Sequence, residues 1–201
     1  MKPIRLLCCN PVAHTHTQTR LEDMGLNICE RADIVLLYDS RCGQVGQAIR
    51  QISSAHHWIV VTHNPCPEYL HNLWEVGVAG LLSSVYTYSD IASAVRAVSN
   101  GERFHLTPSY SSLLTSAERR TLAQVAFGAS NKEVARALSL EEGTVKSSLN
   151  RINDKLGLEN RQQLSFYYLG LWHLLPAPYC NRFTLNLEQL EPQVHLQAAD
   201  D

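Results

Sequence analysis

The stretch from Leu114 to Leu174 constrains the fold of this chain most strongly, because its apolar residues recur at the spacing of helices. We predict four short helices within it. The third covers roughly residues 141–156, and its apolar side chains lie four, three and four positions apart, so they form one buried stripe: Val145, Leu149, Ile152 and Leu156. The other side chains of this helix, mostly polar or basic, point elsewhere.

The helix before it begins with a capping pattern, since Ser130 is followed three residues later by Glu133. Only Ser139 and Leu140 separate the two helices. Two helices joined by so tight a turn, the second with a polar and basic outer face, have the geometry of a helix-turn-helix. Such a motif lays its second helix in a DNA major groove.

Several motifs in this stretch resemble, in order and spacing, the LuxR/NarL-type DNA-binding domain: Leu114-Thr115, Glu118, Ser130 to Ala135, Gly143 to Lys146, Lys155 to Gly157 and Arg161. The resemblance implies an all-α, four-helix domain whose partner is double-stranded DNA. It places three side chains where the family reads base edges: Lys146, Ser147 and Asn150. It places three more where the family meets phosphates: Lys132, Arg151 and Lys155. It also assigns two further residues to the DNA contact: Thr144 and Val145.

Ser148 departs from the family pattern, because many members have a histidine there. Ser147 and Asn150 are also uncharged, so the recognised base sequence cannot be taken over from a relative. The alternative to a DNA-binding domain is a small helical bundle whose basic face is merely solvated.

The last helix of the stretch, residues 161–174, is the predicted dimer contact. Asn160 is placed to cap it, with Gln163 at the third position. Its apolar residues offer more surface than one small bundle can cover: Leu164, Tyr167, Tyr168, Leu171 and Trp172. The LuxR/NarL resemblance assigns pairing to this helix and implies a homodimer. The alternative is that these side chains complete the core of the monomer.

The amino-terminal half alternates apolar strands with helical patterns. Four strands are predicted: 4–9, 33–38, 58–62 and 79–83. Three helices are predicted: Gln44 to Ile52, Glu68 to Val76 and Tyr88 to Ser99. Because each parallel return needs a crossover of about a dozen residues or more, this alternation predicts an α/β domain with a parallel sheet covered on both faces.

The order and spacing of Gly46, Thr62, Gly77 and Gly80 resemble a response-regulator receiver domain, which has a flavodoxin-like sheet. Such domains accept a phosphoryl group on an aspartate, yet the matching positions here are degenerate. Tyr38 stands at the acceptor position with Asp39 one step beyond, and Ser84 replaces the family's lysine. Thr62 matches the switch threonine, or is simply a strand-end threonine satisfied by its own backbone.

The loop that should offer acidic residues to magnesium reads Cys8-Cys9-Asn10. Without that cation the phosphoryl transition state is not stabilised, so we expect no metal and no phosphoryl transfer. A small ligand could instead bind in the crevice near Asn10, Asp39 and His63, where the strands end.

This half is also short between its first two predicted strands. Leu26 to Cys29 could form the family's second strand, but only Glu30 to Ala32 then precede Asp33. That is too few residues for a parallel crossover. We therefore expect a helix to be missing and the sheet to be reduced or rearranged.

The charges and cysteines bear on compartment and chemistry. Residues 112–175 carry eight Lys or Arg against six Asp or Glu, within a chain of net charge −2, which favours phosphate binding through a local patch. No signal peptide or membrane-length apolar run is evident, and the cysteines lack zinc-like spacing, so we expect free thiols and a cytoplasmic setting. The histidines are expected to be solvated in loops: His14, His16, His56, His57, His63 and His71. No cofactor or catalytic set is evident, which argues against an enzyme.

Together these patterns predict a degenerate receiver-like domain (1–103), a short packed linker (104–113), a helix-turn-helix domain (114–175) and a tail with a mobile end (176–201). The function that fits best is a bacterial, sequence-specific transcription regulator that acts as a dimer and independently of phosphorylation. Two alternatives fit the same patterns: an interaction protein that does not bind DNA, and a regulator that senses a small molecule through its receiver-like half.

Overall fold

A computed structural model describes residues 2–8, 11–39, 45, 57–84, 86–108, 112–177 and the backbone of 193–198. The chain divides into two compact units. Unit 1 comprises residues 1–65, 73–109 and 191–201, and unit 2 comprises residues 66–72 and 110–190. In the described part of the chain, no helix is both long and apolar enough to cross a membrane.

Unit 1 is built on a six-stranded sheet whose strand order follows the sequence. Five strands are parallel: β1 (Ile4–Cys8), β2 (Ile34–Asp39), β3 (His57–Thr62), β4 (Gly80–Ser83) and β5 (Glu102–Thr107). The four strands predicted from the sequence are confirmed to within one residue at each end. Their apolar runs form strands because both faces of a parallel sheet are buried.

Helices α1 (Pro11–Asp23) and α3 (Tyr88–Ser99) cover one face of this sheet. Alternate strand residues such as Ile34, Ile59 and Leu82 pack there in one cluster with Leu21 of α1 and Ile91 of α3. The intervening residues are buried as well: Val35, Val60 and Leu81. The prediction that both faces are covered is therefore confirmed.

Helix α1 was not predicted, and it corrects the expectation that His14 and His16 lie in a loop. Its sequence is rich in threonine and histidine, so it carries little helical apolar periodicity. Helix α2 (Pro67–Glu75) holds His71, and His57 begins β3. Only His63, among these described histidines, follows a strand as an exposed loop residue. The predicted helix Gln44 to Ile52 lies outside the described residues except for Val45, which is buried.

The expected loss of a helix before β2 is confirmed, and the sheet is rearranged there. The segment Leu26 to Cys29 makes a single parallel bridge, between Ile28 and Ile4, and residues 29–33 contain no helix. The chain therefore enters β2 directly, because these few residues cannot form a crossover helix.

The sheet also extends into stretches predicted to be linker and tail. Strand β5 includes residues up to Thr107, and β6 (Gln193–Ala198) pairs with it in antiparallel register. Phe104 and Leu106 had pointed to a packed connector, and both are buried in β5. The contribution of residues 193–198 could not be foreseen, because the pairing joins two segments that lie far apart in the sequence, such as Glu102 with Ala198.

Unit 2 contains helices α4 (Ser116–Ala126), α5 (Asn131–Leu138), α6 (Glu142–Leu156) and α7 (Arg161–Tyr168), followed by a short 3-10 helix (Trp172–Leu174). These helices surround a core that includes Leu122, Val134, Val145 and Ile152, all fully buried. The four predicted helices are therefore present, but the last was predicted over residues 161–174 and ends at Tyr168, with a separate 3-10 helix after it.

Candidate nucleic-acid interface

Helix α6 is held by an apolar stripe on its inner side. Val145, Ile152 and Leu156 are fully buried, and Leu149 is half-buried. The helix ends at Gly157, whose φ of +68° is a left-handed conformation that glycine adopts without a side-chain clash. This packing fixes which side of α6 faces outward.

The outer side of α6 presents five exposed polar or basic side chains: Thr144, Lys146, Ser147, Asn150 and Arg151. Ser147 Oγ also donates a hydrogen bond to the carbonyl oxygen of Gly143, 3.0 Å away. Lys132, on α5, is exposed too. The structure thus leaves these six predicted DNA-contacting side chains open to solvent.

Two side chains of α6 correct the sequence analysis. Val145 was assigned to the DNA contact, but it is fully buried because it belongs to the apolar stripe. Ser148, the departure from the family pattern, is also buried. Because Ser148 faces the core, its difference from histidine does not alter the outer surface of α6 directly.

The turn between α5 and α6 is short, as predicted, but it contains residues 139–141, one more than expected. Ser130 and Glu133 form the predicted capping box at the start of α5. At its end, Ser139 adopts a left-handed conformation with φ +55°, and Leu140 N–H donates to the carbonyl oxygen of Ala135 at 2.8 Å. Arg161 holds the start of α5, because it donates hydrogen bonds to the carbonyl oxygen of Ala129 and to Asn131 Oδ1. The motifs had marked Arg161, but not this role.

Glu118 links α4 to the end of α6. It completes a capping box with Thr115, and its carboxylate also accepts a hydrogen bond from Lys155 Nζ at 2.7 Å. Arg151 Nε lies 3.9 Å away from the same carboxylate. Burial favours the protonated acid, but the hydrogen bonds from Lys155 and Thr115 outweigh it and lower the pKa of Glu118. Lys155, predicted to meet phosphate, therefore has an internal partner in the free protein.

Residues 112–168 match the family model described as "GerE: Bacterial regulatory proteins, luxR family". These residues form a luxR-family domain. The match covers α4 to α7 and includes the exposed face of α6.

Curated relatives match over longer stretches of the chain. Transcriptional regulatory protein DesR of Bacillus subtilis is 33% identical over 109 residues, covering 51% of this chain and 55% of DesR. The CsgBAC operon transcriptional regulatory protein of Escherichia coli is 36% identical over 88 residues, covering 43% of this chain and 40% of that protein. This chain thus aligns with about half or less of the length of these relatives. Both are named as transcriptional regulators, and neither as an enzyme.

Solved structures share the fold. RcsB from Salmonella enterica serovar Typhimurium, bound to the promoter rprA, superposes with a TM-score of 0.57 at 19% identity, over 84% of this chain and 98% of that one. A structure of two RcsB dimers bound to two parallel DNAs gives a TM-score of 0.52 at 19% identity, over 85% and 98%. A receiver-like α/β unit followed by a luxR-family domain is therefore the architecture of this chain.

Helix α7 of the luxR-family domain is capped as predicted, since Asn160 Oδ1 accepts a hydrogen bond from Gln163 N–H at 3.0 Å. However, four of the five side chains assigned to the dimer contact lie in the core of unit 2: Leu164, Tyr167, Tyr168 and Trp172. Only Leu171 is half-buried. These four side chains therefore fit the alternative prediction, that they complete the core of the monomer.

Buried polar groups from residues 66–72 account for part of this burial. Tyr167 donates its hydroxyl hydrogen to Glu68 Oε2, and Asn72 Nδ2 donates to the Tyr168 hydroxyl at 2.9 Å. Burial raises the pKa of the Tyr167 phenol well above its usual value, so this hydroxyl remains a donor. Helical periodicity alone could not reveal these partners, because they lie nearly a hundred residues away in the sequence.

In the degenerate phosphoacceptor region of unit 1, Asp39 and Tyr38 point to opposite faces of the sheet. Asp39 ends β2, is buried, and accepts a hydrogen bond from Thr62 Oγ1 at 3.0 Å; Thr62 Oγ1 in turn accepts from Asn64 N–H. Tyr38 points to the other side of the sheet and packs against the cluster under α1 and α3, where burial raises its pKa. Asp39 thus reaches Thr62 from within the strand rather than from a loop.

Ser84, at the position of the family's lysine, has a φ of +69° and offers only a hydroxyl, which lies 3.3 Å from Ser83 Oγ. Asn10, predicted to line the crevice with Asp39 and His63, lies outside the described residues. His63 stacks on Tyr86, with ring centroids 5.3 Å apart. In the described ranges no group of His, Cys, Asp and Glu side chains is arranged to hold a metal ion.

Proposed function

We propose that this chain is a sequence-specific, DNA-binding transcription regulator that inserts α6 into the major groove. The observation that carries the proposal is the exposed polar and basic outer face of α6, presented by a packed luxR-family domain. The relatives named as transcriptional regulators support the same reading. A regulator of this kind acts in the cytoplasm, where bacterial DNA is.

The predicted DNA-contacting side chains fall into two groups, those assigned to base edges and those assigned to phosphates. Lys146, Ser147 and Asn150 of the outer side are assigned to base edges, because their amine, hydroxyl and amide groups match the donors and acceptors of the major groove. Lys132, Arg151 and Lys155 are assigned to phosphates, which position the protein without reading sequence. Lys155 can exchange Glu118 for a phosphate, since both are anionic oxygens. Thr144 is assigned to the edge of the same contact.

The dimer contact is assigned to the outer side of α7. Because Leu164, Tyr167, Tyr168 and Trp172 are buried, the surface left for a partner consists of Gln162, which is exposed, with half-buried Ser165, Phe166, Leu169 and Leu171. Two recognition helices of a dimer would then lie about 34 Å apart on an inverted repeat.

We also propose that unit 1 controls activity without phosphorylation. Asp39 is buried and bonded to Thr62, and Ser84 supplies no positive charge to hold a phosphoryl group. A receiver switch uses both a threonine and a cation at the added charge. The remaining roles of unit 1 are to bind a protein partner or a small ligand.

The test of DNA binding is enrichment of a random duplex library by the full chain, followed by affinity measurements on the selected duplex and on a shuffled duplex of the same composition. A specific regulator should prefer the selected duplex by about a thousandfold or more. Equal affinity for both duplexes, or no retardation of any DNA at low salt, would favour an interaction protein instead.

A further inference from the structure

Strand β1 is an edge strand with an almost unpaired outer side. On its inner side it pairs with β2 along its whole length. On its outer side, as far as the described residues show, only Ile4 is paired: its N–H donates to the Asn27 carbonyl and its carbonyl accepts from Cys29 N–H, both at 2.9 Å. Because alternate residues of a strand direct their backbone groups to the same side, those of Leu6 and Cys8 point outward as well. Within the described residues no strand continues the ladder beyond Ile4.

A cavity of about 580 Å³ lies along this open edge, and we call it the groove. Arg5 and Leu7 of β1 line it, with His14 and Gln18 of α1 and, from the segment after the bridge, Ile28 and Arg31. Arg5 and Arg31 are exposed, and neither guanidinium has an ion pair with a described residue. Glu30 is the acidic side chain of the lining, so the groove is basic overall.

We propose that this groove is a docking site for an extended, acidic peptide segment of a partner protein, which adds a strand outside β1. The unpaired backbone of Leu6 and Cys8 supplies the hydrogen bonds of strand addition, and these require no particular side chain. Arg5 and Arg31 supply the selection for carboxylates, through charge-assisted hydrogen bonds. Half-buried Leu7 and Ile28 accept the small apolar residues that alternate with the acidic ones.

The charge of the edge argues against a second copy of this chain as the occupant. Edge-to-edge pairing of two copies would bring Arg5 and Arg31 of both together, and charged edge residues are a common means of preventing such pairing. An acidic strand, in contrast, would be attracted by Arg5 and Arg31. The proposal rests on unit 1 alone and does not depend on DNA binding by α6.

The probe is an array of acetylated octapeptides in which glutamate alternates with valine, isoleucine or threonine, each beside a version with lysine in place of glutamate. The tightest acidic peptide is then titrated in solution into the isotope-labelled full chain. We expect saturable binding that shifts the backbone amide resonances of Leu6 and Cys8. Arg5→Ala combined with Arg31→Ala should weaken it about tenfold or more, whereas Arg20→Ala, an exposed arginine of α1 outside the lining, should leave it unchanged.

A second form of the peptide tests strand addition without altering the protein. Methylation of alternate backbone nitrogens keeps the charge but removes the hydrogen-bond donors, so binding should be lost. Unchanged binding of the methylated peptide, equal binding of the lysine peptide, or no binding by any acidic peptide would each overturn the proposal. Self-association of the chain that Arg5→Ala strengthens and the peptide abolishes would assign the edge to a second copy and overturn it too.

Discussion

At the scale of single residues, the luxR-family domain depends on a few polar side chains that each serve two contacts. Glu118 both caps α4 and receives Lys155 from α6. Its carboxylate is buried, whereas Lys155 and Arg151 remain partly or largely exposed. An acidic side chain at the start of one helix therefore restrains the basic end of the recognition helix.

This arrangement predicts a specific dependence of stability on pH. The pKa of Glu118 is lowered in the folded protein, so its contribution is complete above the unfolded value of about 4.3 and is lost as pH falls through the folded pKa. Glu118→Gln should lower the unfolding midpoint at pH 7 by roughly 4–8 °C, the effect of about 1 kcal/mol in a domain of this size. Below pH 4 the difference between the unfolding midpoints of Glu118→Gln and wild type should become smaller. The matched change Glu142→Gln, at an exposed position in α6, should show no such narrowing; a constant gap for Glu118→Gln would contradict the account.

Some single residues could be predicted from the sequence and others could not. The capping residues Ser130 and Asn160 could be identified because their signal is local. Val145 was placed both in the buried stripe and at the DNA contact, and only the stripe was correct. The reach of Asp39 to Thr62 depends on the register of β2 against β3, which no local pattern fixes.

At the scale of elements, the strands were predictable because each is a short apolar run, and α3 because its apolar residues are periodic. Helix α1 was missed since threonines and histidines obscure its pattern, although Leu21 on it is fully buried. The bonds from Glu68 and Asn72 to α7 were also missed, because they join residues far apart in the chain.

Those bonds change which face of α7 is open to a partner. We predict that Phe166→Glu combined with Leu169→Glu raises the dimer dissociation constant at least about tenfold, because both side chains are half-buried on the outer side of the helix. Circular dichroism should show a retained fold. The control is Leu113→Glu, an exposed leucine before α4, which should leave the dimer intact. Analytical ultracentrifugation is the measurement, and a doubly substituted protein that dimerises like wild type would contradict the assignment.

At the scale of the whole molecule, the chain combines a receiver-like α/β unit with a luxR-family domain. We predict that the chain gains no phosphoryl group on incubation with a small phosphodonor and magnesium, and that its DNA affinity does not change. The physical reason is that Asp39 is buried and bonded to Thr62 while Ser84 replaces the stabilising lysine. Intact mass and DNA binding are the readouts. A phosphoryl group that Asp39→Asn removes, together with altered affinity, would show that unit 1 is a working receiver.

Whether α6 reads DNA sequence can be measured by the ratio of the affinities for the selected and the shuffled duplexes. Lys146 is exposed on the outer face of α6, and a good contact to a base edge is worth about 1 to 3 kcal/mol of discrimination. Lys146→Ala should therefore lower that ratio by about five- to a hundredfold, whereas Arg96→Ala, an exposed arginine of α3, should not change it. A folded Lys146→Ala protein that keeps the wild-type ratio would show that α6 does not read the bases.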